Sequence, residues 1–182
     1  MAAGVQYLAL LRGINVGGKN LVKMTDLRAA FEQMGFADVV TYIASGNVLF
    51  RAPRRKREEL AARVESELSR RFGTELRVVL LTEAHLRGVV EEAPEGFGAD
   101  SHLCDVIFVR KPMTAAKAMG LIEIKDGVDS AWAGRHVVYF SRLASRASSS
   151  RLSRFASLPE YKHVTVRSWS TATKLLALMD SR

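Results

Sequence analysis

Hydrophobic and polar positions fall into short blocks, and the repeat within each block predicts its structure. Val5–Arg12 is a continuous aliphatic run closed by Gly13, the pattern of a strand. Thr25–Met34 carries Leu27, Ala30, Phe31 and Met34 at helical spacing, with Thr25 or Asp26 expected near the cap and Gly35 as the stop. Val39–Ala44 and Val48–Ala52 read as strands joined at Ser45-Gly46-Asn47, a tight-turn composition. A helix starting at Pro53 and running to Phe72 presents Leu60, Val64 and Leu68 on one face and ends at Gly73. Leu76–Leu81 completes the series as a fourth strand.

The second half repeats that order. Thr82–Glu92 is expected to be a linking helix and Ala93–Gly98 a loop. Leu103–Val109 reads as a strand, Thr114–Gly120 as a short helix, and Ile122–Trp132 as an extended stretch broken at Asp126-Gly127. Arg135–Phe140 pairs with it across Ala133-Gly134, Arg151–Leu158 is helical, and His163–Val166 is a short strand before a helix over Ser170–Met179. Each half therefore reads β-α-β-β-α-β, which predicts an α+β fold of two tandem ferredoxin-like units with extra helices. Residues 1–82 and 101–182 would be the units, with 83–100 linking them. The halves share little residue identity, so the repeat is one of architecture.

Topology brings distant loops together. The first two strands of such a unit run parallel, so the loop Gly13–Asn20 and the turn at Ser45–Asn47 end at one sheet edge. Arg12, Asn15, Lys19, Asn20, Ser45 and Asn47 then lie within reach of one ligand. Glycines let backbone N–H groups crowd an anion, and a lysine adds charge, so the loop reads as a phosphate or carboxylate cradle. The strands Tyr7–Leu11, Val78–Leu81 and Val106–Val109 are apolar at successive positions, which predicts sheets covered on both faces. This argues against an open aromatic sheet of the RNA-recognition kind.

Charge sharpens the expectation. The chain of 182 residues has a formal net charge of +8. Between Arg135 and Leu178 eight Lys or Arg face one acid, Glu160, a surplus of seven. A field so concentrated attracts nucleotides, nucleic acid or other anions. One cysteine, Cys104, and an apolar start much shorter than a membrane span point to a cytoplasmic protein without a membrane partner. A monomer is expected.

Three stretches resemble a bacterial family known as domain of unknown function 1697. They are Tyr7-Leu-Ala-Leu-Leu-Arg-Gly-Ile-Asn-Val-Gly-Gly-Lys-Asn20, Thr41-Tyr-Ile-Ala-Ser-Gly-Asn-Val-Leu-Phe50 and Val164-Thr-Val-Arg-Ser-Trp-Ser-Thr-Ala-Thr-Lys-Leu175. The resemblance implies a tandem α/β-plait fold and no established activity. Its pattern falls on Arg12, Asn15, Gly17, Gly18, Asn20, Ser45, Gly46, Asn47, Arg167, Trp169, Thr171 and Lys174. Ser168 and Ser170 stand where the family usually has asparagine, which shortens any contact made there. Ser150-Arg151-Leu152 matches the family's Ser-Lys-Leu only loosely.

Specific chemistries are thinner. Gly13-Ile-Asn-Val-Gly-Gly-Lys19 satisfies the G-x-x-x-x-G-K core of a P-loop, but Asn20 replaces the magnesium-binding hydroxyl and the sheet order is wrong for that motif. Ser45 has no identifiable base among the dispersed His85, His102, His136 and His163. His102 with Cys104 is not a metal set, and the residues ask for no cofactor. The basic run Arg54–Arg57 is followed at once by Glu58 and Glu59 and reads as a solvated helix end. Binding of an anionic small molecule or single-stranded nucleic acid accounts for most of these features. An enzyme acting on a phosphate- or carboxylate-bearing substrate, and a protein-interaction module, stay open.

Overall fold

A computed structural model describes residues 4–15 and 21–182. The class is mixed α+β, with two four-stranded antiparallel sheets. The chain divides into two compact units, Met1–His85 with Leu178–Arg182, and Leu86–Ala177.

In the first unit the sheet order is β2-β3-β1-β4, from β1 (Val5–Arg12), β2 (Ala37–Tyr42), β3 (Asn47–Ala52) and β4 (Arg77–Thr82). β3 pairs antiparallel with both β1 and β2, so those two run in the same sense. Tyr7, Ala9 and Leu11 on one face of β1 join the core beneath α1 (Met24–Gln33) and α2 (Arg57–Phe72). Leu8 and Leu10, on the other face, are equally buried. Helix α1 turns Leu27, Ala30 and Phe31 inward, an i, i+3, i+4 stripe. Its cap is Lys23 rather than Thr25 or Asp26, and Lys23 makes no side-chain cap bond; Asp26 instead sits in the first turn, where it suits the helix dipole.

Helix α2 begins later than Pro53, at Arg57 after Lys56. Glu58 and Glu59 occupy its first turn, so the basic residues at 54–56 stay outside the positive helix end. Leu60, Val64 and Leu68 are buried as the spacing requires, and left-handed Gly73 closes the helix. Glu65 is also buried: its carboxylate accepts the Val78 N–H at 2.8 Å, giving an edge strand a partner from the helix.

The second unit has sheet order β6-β7-β5-β8, from β5 (His102–Val109), β6 (Asp129–Ala133), β7 (Val137–Leu143) and β8 (Val164–Ser168). Its core gathers Ile107, Val138, Phe140 and Val164 with Ala115 and Ala118 of α4 (Ala115–Leu121) and Phe155 of α5 (Leu152–Ala156). Helix α3 (Glu83–Glu91) precedes β5, and α6 (Trp169–Asp180) follows β8.

Two further stretches depart from the sequence pattern. The segment 122–132 forms a strand only from Asp129, after a turn at residues 126–128 where Asp126-Gly127 reads as a break, and Asp129 Oδ2 holds that turn by accepting the Lys125 and Arg151 N–H groups at 3.1 and 2.9 Å. The helix expected over 151–158 shrinks to α5 between 3-10 turns at Ala144–Ser149 and Pro159–His163. Serine hydroxyls there bond back to carbonyls, Ser149 to Arg146 and Ser157 to Ser153, and compete with a continuous helix. Among the described residues no helix is long and apolar enough to cross a membrane.

Candidate functional site

The first unit brings the ends of β1 and the β2–β3 turn against each other. Leu11 N–H donates to the Gly46 carbonyl at 2.8 Å. Gly46 has φ +81°, and a Cβ there would stand 2.6 Å from Ile14 Cδ1 and 2.9 Å from Leu11 Cβ, so only glycine fits this crossing. Asn15, itself left-handed at φ +54°, fastens the edge. Its amide nitrogen donates to Val22 O and Ala44 O, both at 2.9 Å, and its oxygen accepts the Val22 N–H at 2.8 Å. One side chain thus ties residues 15 and 22 and anchors both to the turn.

Asn47 is fully buried, and its amide donates to Tyr42 O at 2.9 Å and to Ser45 Oγ at 3.0 Å. Both asparagine side chains bond the chain's own groups and so help shape the edge. Arg12 stands opposite Arg77 at the end of β1, so two cations share that edge. Gly17, Gly18, Lys19 and Asn20 lie outside the described residues. Leu21 and Ile43, the latter a β-branched residue at φ +49°, are exposed beside the Asn15 bonds.

The hydroxyl–histidine pairs lie elsewhere. Thr82 Oγ1 meets His85 Nδ1 at 2.5 Å where α3 begins, and Ser101 Oγ meets His102 Nδ1 at 2.9 Å. Among the described residues no group of three His, Cys, Asp or Glu could hold a metal ion.

In the second unit Arg167, Trp169, Thr171 and Lys174 span the end of β8 and the start of α6. Arg167 is buried and donates to Val166 O at 2.8 Å; burial lowers its pKa to about 10, against a smaller upward push from Tyr161. Ser168 Oγ accepts the Thr171 N–H at 3.3 Å and donates to Thr171 Oγ1 at 2.9 Å, so serine caps the helix that Trp169 opens. Lys174 is exposed.

Trp169 is half-buried and already in contact. The Phe97 ring meets it edge-on, with centroids 5.1 Å apart, and a Cβ on Gly98 would overlap its indole. Phe97 also meets Tyr139 at 5.4 Å and Trp132 at 6.2 Å, again nearly perpendicular. Tyr139 donates its hydroxyl to Val89 O at 2.7 Å, and burial, with Glu92 adding, pushes its pKa up to about 12. Gly98 N–H reaches Cys104 Sγ at 3.2 Å. Sequence reasoning missed Phe97, Trp132 and Tyr139. The available signal was the hairpin at Gly134, whose register sets Trp132 opposite Tyr139.

Comparison with known proteins gives the fold a context. A family model described as protein of unknown function (DUF1697) matches residues 5–139. The solved structure of a conserved bacterial protein, SP0830 from Streptococcus pneumoniae, is similar with a TM-score of 0.85 and 24% identity, over 98% of this chain and 99% of that one. No curated protein matches.

Proposed function

We propose that this chain, which belongs to the family of proteins of unknown function DUF1697, binds an anionic ligand at the glycine-rich loop 13–20 and the adjoining Ser45–Asn47 turn. The ligand class is a nucleotide-like small molecule or single-stranded nucleic acid. The carrying observation is the Asn15 side chain, whose three hydrogen bonds hold residue 22 and the turn beside the end of β1. Such fastening orders the frame of a loop before any ligand arrives and lowers the entropy cost of binding. Arg12 at the root and Lys19 within the loop supply the charge, and the glycines supply close N–H approach.

We read each sheet with its helices as one ferredoxin-like unit, at 1–82 and 101–182 with 83–100 as the link, in a monomeric cytoplasmic protein. The strand orders β2-β3-β1-β4 and β6-β7-β5-β8 support that reading. Arg167, Trp169, Thr171 and Lys174 form a second, basic patch whose field favours the same class of ligand.

Thermal-shift screening with nucleotides and organic acids tests the loop. A ligand at about 100 times its dissociation constant adds roughly 2.7 kcal/mol of stability. Lys19→Ala with Asn20→Ala should abolish the shift. A shift that survives both substitutions removes the loop from the site.

A further inference from the structure

Residues 91–100 carry Glu91, Glu92, Glu95 and Asp100, all exposed, and no Lys or Arg. The remainder of Leu86–Ala177 carries thirteen Lys or Arg against five acids. An acidic strap is thus built into a strongly cationic unit. It presents one aromatic ring, Phe97, between Gly96 at φ +74° and Gly98 at φ +96°. That ring fills a slot walled by Trp132 of β6, Tyr139 of β7 and Trp169 of α6. The slot lies on the sheet face away from α4, since Val138 and Phe140, which flank Tyr139, point into the α4 core. Trp132 is 41% exposed, so one wall already faces solvent.

Planar ring, aromatic walls and acids beside a basic body are the features a single-stranded nucleic acid would present or require. Bases stack on aromatic side chains while phosphates meet cations. We infer that the Trp132–Tyr139–Trp169 slot is a nucleobase-stacking site for single-stranded nucleic acid, and that Phe97 and the acidic strap occupy it in the free protein. The inference rests on the anion-binding reading above and deepens it by choosing among ligands. Glycines at 96 and 98 supply backbone freedom for the strap to leave. Like charge between the strap acids and the incoming phosphates provides the competition.

The chain's two tryptophans both touch Phe97, so intrinsic tryptophan emission reports on this slot alone. Binding of a labelled short oligothymidine, followed by anisotropy, should quench that emission. Heparin, which has charge but no bases, should bind without quenching. Glu91→Gln, Glu92→Gln, Glu95→Gln and Asp100→Asn together neutralise only exposed side chains, and should tighten oligothymidine binding about tenfold at low salt. Phe97→Leu, which keeps an apolar plug but removes the ring, should tighten it as well. Oligothymidine that binds with emission unchanged, or with affinity indifferent to the strap charges, overturns the slot. Oligothymidine that binds neither wild type nor the neutralised protein also overturns it, and the loop is then judged by its own thermal-shift assay.

Discussion

Each unit gathers four aromatic rings, but in opposite surroundings. In the first, Tyr7, Phe31, Phe36 and Phe50 lie on the helix side of the sheet and all are buried, with Phe36 and Phe50 centroids 4.6 Å apart and Phe31 and Phe50 5.1 Å. In the second, Phe97, Trp132, Tyr139 and Trp169 lie on the face away from α4, and the cluster opens to solvent at Trp132. Tyr7 and Phe50 stack while the other first-unit pairs are tilted or edge-on, and every contact of the second cluster is edge-on. Burial separates them: a sealed cluster serves as core, whereas a half-open one keeps area that a partner ring can cover.

Truncating one ring from each cluster tests the contrast most strongly. Phe50→Ala should cost about 3–5 kcal/mol, because a fully buried ring leaves a cavity under two helices. Phe97→Ala should cost less, roughly 1–2 kcal/mol, since a half-buried ring removes less area from water. Urea denaturation of both variants provides the comparison. Equal losses would mean that the second cluster is as sealed as the first.

The glycines beside each cluster come next. Gly46→Ala combines positive φ with overlap against buried Ile14 and Leu11, and should cost roughly 2–4 kcal/mol. At Gly98 the added methyl meets the Trp169 indole, but the exposed strap can lift away, so the cost should be about 1–2 kcal/mol. Gly98→Ala should therefore shift tryptophan emission toward that of exposed indole. Unchanged emission would show that the strap is not seated on Trp169.

Strand positions were largely legible because continuous aliphatic runs such as Tyr7–Leu11 and Val106–Val109 admit few alternatives. Helix α2 was legible for the same reason, through Leu60, Val64 and Leu68. Illegible features depended on single polar side chains acting over distance. Asp129 takes N–H groups from residues 125 and 151, and no local pattern announces the second. Asn15 and Asn47 were legible as polar residues at one edge, but not as residues consumed by carbonyls at 22, 44 and 42. The Phe97 slot was hidden because its rings come from a loop, a hairpin and a helix start.

Asn15 and Asp129 extend the contrast between the units, as each ties a nearby backbone group to one from a distant segment. Asn15 uses both ends of its amide, whereas Asp129 uses Oδ2 and leaves buried Oδ1 with no hydrogen-bond partner among the described residues. Asn15→Asp should cost about 1–3 kcal/mol, because a carboxylate would face the Val22 and Ala44 carbonyls it cannot donate to. Asp129→Asn keeps an oxygen for the Lys125 and Arg151 N–H groups and removes a buried charge, so its cost should stay within roughly 1 kcal/mol. A reversed order, read from thermal melts, would make the second unit's fastening the more exacting one.

The smallest effect tests how dry the second cluster is. Tyr139 donates to Val89 O, and its pKa is pushed up to about 12 from the usual 10 by burial first and Glu92 second. The folded chain therefore keeps this proton between pH 10 and 12, where the unfolded chain releases it. The Tyr139 contribution is whole below pH 10 and is lost as pH rises through 12. Arg167 acts in the opposite sense over the same window, since burial lowers its folded pKa to about 10, below the ordinary arginine value, and the cost of burying its charge fades as pH rises. Wild type alone mixes the two effects, so Tyr139→Phe serves as the reference. Wild type should be more stable by about 1 kcal/mol at pH 8, from the hydroxyl bond. That margin should shrink above pH 10 by at most about 1.4 kcal/mol per pH unit. A margin that stays constant through pH 11 would place the Tyr139 hydroxyl in water, and the second cluster would then be open to its floor rather than only at Trp132.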